Sequence, residues 1–452
     1  MFKKFTNGCV TLVQKYLPDP FIFCIILTVV VFVFAIPLTG QGPLEMVVHW
    51  GNGIWGLLAF TMQMALVLVL GTAMADSPPM QKLLKALAAI PRTPFQAIVF
   101  VTVVSLLACW VNWGFGLVVG AIFAKEIAKQ SEKVDYRLLI ASAYSGFVIW
   151  HGGVSGSIPL TIANVTEAVT KQTSGVVTES ISTSATIFAP FNLLICLLFL
   201  IFIPLVNAKM HPDAANVIAI SPELLIEEKK EKKIPVTPAE KMENSKIMSW
   251  IVVLLGAVFI VRHFVFNGFQ LDLNVVNLIF LTLGVLFHGT PISYVQAINR
   301  AISGAGGILL QFPFYAGIMG MMTGASITTG LSMAGVISNA FVALATPTTF
   351  PLLSFLSAGL VNFFVPSGGG QWAVQAPIMM PAGQALGVSP AITAMSIAWG
   401  DSWTNMLQPF WALPALGIAG LGARDIMGYC VIDLIVSGII ICGVFLGVGL
   451  LF

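Results

Sequence analysis

Apolar runs of about 20 residues, long enough to carry a helix across the hydrocarbon core of a bilayer, recur along the whole chain. They predict spanning helices over Phe21–Leu38, Gly56–Met74, Leu138–Ala163, Ala185–Val206, Met248–Phe266, Val275–Phe287, Ala305–Thr323, Ala391–Leu416 and Met427–Leu450. Val275–Phe287 is the shortest and must borrow flanking residues to cross. Two further apolar regions are interrupted. Pro94–Ala124 is broken by Asn112-Trp113-Gly114-Phe115-Gly116, and Phe350–Leu386 by Pro366-Ser367-Gly368-Gly369-Gly370. The first break leaves arms of roughly 15 and 10 residues, and the second again leaves two short arms, so each region reads as a hairpin that enters and leaves by one face. The runs exceed strand length and do not alternate, which disfavours a barrel. The predicted fold class is an all-α membrane protein with about nine transmembrane helices and two re-entrant hairpins.

Charge sharpens this picture. Of 452 residues, 57% are hydrophobic and 9% charged, against about a quarter charged in a soluble domain. Asn207–Lys246 alone holds 7 Lys and 7 Asp+Glu, whereas the 123 residues between Arg300 and Arg424 hold only Asp401. A net charge of +2 offers no basic face for nucleic acid. The 6 cysteines are scattered without metal-ligand spacing and read as packing residues. Lys3, Lys4 and Lys15 precede Phe21–Leu38, but no small-residue cleavage site follows, so that run reads as the first transmembrane helix. The positive-inside rule puts the amino terminus in the cytoplasm and the carboxyl terminus in the periplasm. Lys82, Lys85, Arg92, Lys125 to Arg137, the charged loop, Arg300 and Arg424 then lie inside, with Lys171 and Arg262 outside. Reading Pro94–Ala124 as one crossing would put Lys125 to Arg137 on the wrong side.

Three parts follow. Residues 1–206 form a first repeat, with the hairpin at 94–124 and a broken helix at 138–163. Residues 207–246 are a cytoplasmic linker, whose Glu227–Lys233 run reads as a solvated tether. Residues 247–452 hold a linking span and a second repeat, with the hairpin at 350–386 and a broken helix at 391–416. Each repeat orders two spans, a hairpin, a broken span and a final span. The linking span Met248–Phe266 turns the second copy upside down. Inverted repeats with broken helices at mid-membrane mark secondary transporters.

Broken helices expose backbone N–H groups that can hold an anion without Lys or Arg. The breaks Asn112–Gly116, Trp150–Pro159, Pro366–Gln371 and Gly400–Pro409, with Asn362 and Trp372 flanking the third, supply the candidate substrate-binding residues: Asn112, Gly114, Trp150, Gly153, Ser155, Ser157, Asn362, Ser367, Gly368, Gly369, Gly370, Gln371, Trp372, Ser402, Asn405 and Gln408. Ser367–Gly370 reads as a binding loop in preference to a bare tight turn, because a turn at mid-membrane must be satisfied by something. Asn112 and Asn362 serve equally well as ligand-orienting amides or as helix caps. Asp401, at an insertion cost of about 2.5–3.5 kcal/mol, is either a buried protonated cap or the ion-coupling residue, and the second reading is preferred. Asp433, six residues past Met427, is expected near the cytoplasmic headgroups.

His151 could carry a proton, but a neutral ring bonded to a backbone carbonyl is the preferred reading. His151-Gly-Gly-Val-Ser155-Gly imitates hydrolase motifs without the G-x-S-x-G spacing, so no enzyme is expected. With no Lys or Arg at the breaks, a monocarboxylate with a short apolar tail fits better than a di- or tricarboxylate. Its head suits the Ser, Gly and Asn tips, and its tail suits Trp150, Trp372, Trp399 and Trp403.

Four stretches carry a family resemblance: Asn112-Trp-Gly-Phe-Gly-Leu-Val-Val-Gly-Ala, Gln311-Phe-Pro-Phe-Tyr-Ala-Gly-Ile, Val365-Pro-Ser-Gly-Gly-Gly and Gln408-Pro-Phe-Trp-Ala-Leu-Pro-Ala-Leu. They resemble the bacterial short-chain fatty acid transporter family, carriers for acetoacetate and butyrate uptake, from Leu17-Pro-Asp-Pro to the last helix. The resemblance implies a relation to the ion transporter superfamily, with inverted repeats, two re-entrant hairpins and elevator movement, in the bacterial inner membrane. Gly400-Asp401-Ser402 to Asn405 is similar to a stretch at the substrate and ion site of the aminobenzoyl-glutamate transporter relatives. Family members can carry Glu at the Asp401 position, which keeps a carboxylate, and Gly at the His151 position, which makes His151 dispensable. The implied partners are a short-chain monocarboxylate, a coupling cation (H+ or Na+) and membrane lipids, and a homodimer is allowed. A sodium ion near Asp401 has no assigned ligands, and no cofactor is expected. A passive small-anion channel, a dicarboxylate carrier and an intramembrane acyltransferase using His151 and Ser155 remain as alternatives.

Overall fold

The computed structural model describes residues 2–131, 133–225, 236–268 and 273–450, and the Glu227–Lys233 tether lies outside the described residues. Throughout the described residues the regular structure is helical. By length and composition, 8 of these helices are long and apolar enough to cross a membrane. Lys246–Asn267, the helix between the two halves, keeps Leu255, Val258 and Val265 exposed, as a span bathed in lipid would.

The interrupted regions are helical hairpins with longer arms than their apolar runs suggest. The first has arms Pro94–Val111 and Trp113–Gln130, 18 residues each. The second pairs the 13-residue Phe350–Asn362 with the 18-residue Gly368–Ala385. Arm length therefore does not forbid crossing, and Pro94–Val111 is itself among the 8 candidate spans; in each region the two arms pack antiparallel. A side chain on Gly116 would strike Cys109, and one on Gly120 would lie 2.5 Å from Ser105 Oγ, so the register runs backwards as the chain advances. In the second hairpin Ser354 donates to Met379 Sδ at 3.8 Å and Gln375 donates to Ser357 Oγ at 3.1 Å, again in antiparallel register.

Each tip is built by local capping. Asn112, with φ −153° and ψ 119°, ends one arm, and its Oδ1 accepts the Phe115 N–H at 2.9 Å to start the next. Ser367 caps the Gly370 N–H in the same manner at 3.4 Å.

Five short helices join the expected elements: Phe2–Tyr16, Pro43–Gly53, Pro78–Ala88, Pro291–Ala301 and Met333–Val342. They are too short or too polar to register as spans, and Pro43, Pro78 and Pro291 open three of them, where a missing N–H is harmless. With them, the halves match in order. Pro20–Thr39, Pro43–Gly53, Leu58–Ala75 and Pro78–Ala88 precede the first hairpin, as Leu273–His288, Pro291–Ala301, Gly306–Thr323 and Met333–Val342 precede the second.

Two further helical stretches are interrupted. Tyr136–Ser145 passes through a 3-10 turn, Gly146–Gly152, before Ser157–Ala163. Pro390–Thr404 passes through Asn405–Leu407 to Pro409–Ala419, with Gln408 extended (φ −91°, ψ 120°) as the residue before a proline prefers. Gly400 lets the first arm of the second hairpin lie against the broken helix. A side chain there would strike the Phe355 carbonyl and come within 2.5 Å of Ala358 Cβ.

Candidate functional site

The two breaks meet through a buried ion-pair geometry. His151 Nε2 lies 2.9 Å from Asp401 Oδ2, and both side chains are fully buried. This corrects one expectation and removes one alternative. The ring bonds a carboxylate, where a backbone carbonyl was the preferred partner. Asp401 also sits inside the helix Pro390–Thr404, so it caps neither end. Trp150 covers the other face of the pair, with its ring centroid 3.6 Å from that of His151.

The second hairpin closes directly over this pair. Gly368 approaches so closely that a Cβ there would overlap Ser157 Oγ and lie 2.9 Å from His151 Nε2. Only a glycine fits. The next residue, Gly369, is exposed with open space around it, and Gly370 lines an open cavity of about 380 Å³ with Met319, Thr323, Ser332, Ala373 and Val374. At the root of the same tip, Asn362 Nδ2 donates to the Asp401 carbonyl at 2.7 Å, with Thr404 Oγ1 and Asn405 Oδ1 within 3.0 Å. Gln408 Nε2 returns a bond to the Asn362 carbonyl at 2.8 Å and another to that of Phe363.

The tip of the first hairpin also contacts the first break. The Val154 N–H donates to the Trp110 carbonyl at 2.9 Å, and the Trp113 N–H donates to Ser155 Oγ at 3.1 Å. Gly153 permits this, because a side chain there would strike the Trp110 backbone. Tyr144 OH then ties the first broken helix to the Asn405 carbonyl of the second. All four interruptions thus form one connected structure.

Other predicted residues point elsewhere. Gln371 turns into its hairpin, donating to the Ala358 carbonyl at 2.8 Å and to Gln375 Oε1 at 2.7 Å. Ser402 bonds its own helix at the Trp399 carbonyl, 3.2 Å away. Gly114 faces Leu273 at the start of the helix Leu273–His288. Trp372 is buried.

Of the expected apolar wall, Trp150 stands at the centre. Trp399 donates to Asn192 Oδ1 at 2.9 Å, and Trp403 donates to the Leu434 carbonyl at 2.8 Å on the last helix. Their places beside Trp150 are taken by Trp113, Phe147 and Trp411, all with ring centroids within 6.0 Å of it. Asp433, expected near the headgroups, is buried. With its amide nitrogen turned toward that carboxylate, Asn207 donates to both oxygens at 2.9 and 3.3 Å.

Polar capacity is left over at this centre. Asp401 Oδ1, His151 Nδ1, Ser157 Oγ, Asn362 Oδ1, Asn405 Nδ2 and Gln408 Oε1 are buried without a hydrogen-bond partner. Buried polar atoms are normally paired, so this concentration points to a place where solute, ion or water completes the set.

The short chain fatty acid transporter profile matches residues 1–448. The chain belongs to that family. A protein of Escherichia coli (strain K12) is 46% identical over 431 residues, covering 95% of this chain and 96% of its own. One of Haemophilus influenzae is 46% identical over 443 residues, covering 96% and 97%. Both carry the name "Putative short-chain fatty acid transporter". A crystal structure of the Alcanivorax borkumensis YdaH transporter aligns over 96% of this chain and 98% of that one, at 15% identity and a TM-score of 0.43, too loosely to bear on the site. This member of the short chain fatty acid transporter family is thus a multi-span membrane transporter and not an enzyme.

Sequence reading passed over Asn192, Tyr144, Trp113 and Trp411 as parts of this centre. Asn192 had a signal of its own, an amide in the apolar span Pro190–Lys209, and it donates to the carbonyls of Gly152 and Ile187. The aromatic residues had none, since nothing local separates a tryptophan at the breaks from one facing lipid.

Proposed function

We propose that this transporter imports short-chain monocarboxylates such as acetoacetate and butyrate across the bacterial inner membrane by cation-coupled symport. The observation that carries the reading is the convergence of four helix interruptions around Asp401 in a chain of this family. The substrate carboxylate is received by backbone N–H groups at the amino end of Gly368–Ala385, next to the exposed Gly369. Its short apolar tail lies against Met319, Ala373 and Val374 in the adjoining cavity. Asp401 is the coupling residue.

In this reading the first hairpin enters from the cytoplasm and the second from the periplasm, with the amino terminus inside and the carboxyl terminus outside. The hairpins and broken helices move together, as an elevator, against the remaining helices. Their mutual bonding, through Gly368, Asn362, Ser155 and Tyr144, supports movement as one body.

Reconstituted protein given labelled butyrate or acetoacetate under imposed proton and sodium gradients tests this directly. Accumulation above the protein-free level under one of the gradients is the expected result. No uptake under either gradient, with dicarboxylates moving instead, overturns it.

A further inference from the structure

From the buried contact between His151 and Asp401, we infer that the coupling ion is a proton and that this pair carries it. The inference rests on the carrier reading above and adds to it the identity of the ion and a second residue. Three observations support it. The pair is fully buried and joined at 2.9 Å, so the proton is shared between an imidazole and a carboxylate held in bonding geometry. The edge of His151 that faces Asp401 is also the edge against which Gly368 is seated, so the substrate loop touches the pair itself. Asp401 Oδ1 and His151 Nδ1 are buried at the pair, and the group beside the carboxylate is the neutral Asn405 amide, which adds no charge of its own.

The surroundings supply no competing charge at this point. Asp401 is flanked by Asn362 and Thr404 from its own half. Among the described residues on elements packed around the pair, the titratable groups are Tyr144, which bonds the Asn405 carbonyl, Cys196, whose sulfur lies 3.8 Å from the Gly152 oxygen, and Cys109, which packs on Gly116. The last helix adds Arg424, Asp425, Tyr429, Cys430, Asp433 and Cys442, and Asp433 turns to Asn207. Tyr136 and Arg137 stand at the start of the first broken helix, Lys209 at the end of Pro190–Lys209, and Lys125, Glu126 and Lys129 at the far end of the first hairpin's second arm.

The charges balance as follows. Empty and unprotonated, the pair holds neutral His151 and ionised Asp401, a net charge of −1. A substrate carboxylate arriving beside Asp401 disfavours a second negative charge, so binding draws in one proton. The proton converts the pair to a net charge of zero, as imidazolium with carboxylate or as imidazole with carboxylic acid. Loaded with one anion and one proton, the carrier again holds −1. It returns empty with the same charge, so the cycle is electroneutral and moves one proton with each monocarboxylate. Imidazole is suited to this because it exchanges protons between about pH 5 and 8.

The test uses full-length protein in liposomes with labelled acetoacetate, protein-free vesicles subtracted. Counterflow without any gradient reports the carrier reading alone. An inward gradient of one pH unit is expected to drive about tenfold accumulation, unaffected by a potassium–valinomycin potential. In the double variant Asp401→Asn/His151→Gln the pair can hold no proton, so the exchange that survives should lose its response to the pH gradient and become driven by an inside-positive potential. His151→Gln, which leaves Asp401 in place, should change the pH profile of uptake between about pH 5 and 8. Counterflow together with sodium-driven uptake at constant pH overturns the proton pair and leaves the carrier standing. Wild-type gradient response in the double variant, or an unchanged pH profile in His151→Gln, also overturns it. Absence of counterflow overturns the carrier reading, and the proton pair falls with it.

Discussion

Replacing Gly368 by alanine tests the closure of the second hairpin over the first break. The added Cβ would overlap Ser157 Oγ and sit 2.9 Å from His151 Nε2 and 3.0 Å from its Cε1. Ser157 Oγ is a side-chain atom and can rotate away. The His151 ring cannot retreat without leaving Asp401 or pressing on Trp150, whose ring is 3.6 Å away. Forcing one methyl group into a tight contact costs about 1–3 kcal/mol. If the seated tip is an obligatory stage of the cycle, that cost lowers uptake by about 5- to 150-fold. Gly369→Ala is the matched control, because a Cβ there meets nothing within 4 Å. Initial rates of labelled acetoacetate uptake, normalised to reconstituted protein, give the comparison, and melting in detergent separates loss of fold from loss of movement. The reasoning fails if Gly368→Ala transports like the wild type, or if Gly369→Ala is impaired to the same degree.

Other substitutions probe the support around this centre. Asn192→Ala orphans the Trp399 indole N–H and removes a bond to the Gly152 carbonyl, so the melting temperature should fall, at about 1–3 kcal/mol for each orphaned group. An unchanged melting point would count against that bonding. Gly400→Ala collides with the backbone of Phe355 and Gly359, which cannot rotate aside, and should destabilise the protein more than Gly369→Ala in the same melt. Asn112→Ala deletes the cap on the Phe115 N–H and should cost about 1 kcal/mol, with faster amide exchange at the start of Trp113–Gln130 as the readout.

On the linker, burial holds the His211 imidazole below its ordinary pKa, and its Nε2 accepts the Asp135 N–H at 3.2 Å. The unfolded segment therefore binds more protons than the folded one, and stability is lost as pH falls through about 6.5. Amide protection at Asp135 and Ile218, corrected for the intrinsic exchange rate at each pH, should fall on acidification in the wild type and respond less in His211→Gln.

Much of the fold is legible because membrane spans follow from length and polarity. The breaks are legible for the same reason. Asn112-Trp-Gly-Phe-Gly and Pro366-Ser-Gly-Gly-Gly interrupt apolar runs with residues that end or start helices, and both long spans break within a few residues of the predicted points. The short helices beside the spans leave no trace in hydropathy because 10 to 15 residues are too few to give a transmembrane signal. Hairpin arms were underestimated because helix continues into charged sequence, as Trp113–Gln130 does past Lys125.

The site divides along the same line. Asp401 stands out as the lone charge in its window, and Ser367–Gly370 as a glycine run in apolar surroundings. His151 was set aside because its preferred partner was a local carbonyl and because family members can carry Gly there. Its actual partner lies 250 residues away. Trp399 packs against Gly152 in the first break with its N–H held by Asn192, whereas Trp403 turns to the last helix, and neither choice is visible in residue type alone.

The amino-acid order by itself determined that this chain lives in lipid, where its helices break, and which carboxylate is left without a charged neighbour in sequence. Those are properties of local hydropathy and local backbone bonding, and each is settled within a turn or two of helix. The tertiary structure alone decided that Gly368 seats on His151, that His151 meets Asp401, and that Trp113 and Trp411 surround Trp150. Such meetings depend on how remote helices pack, and close packing is set by shape across the whole molecule, which no single stretch of sequence contains.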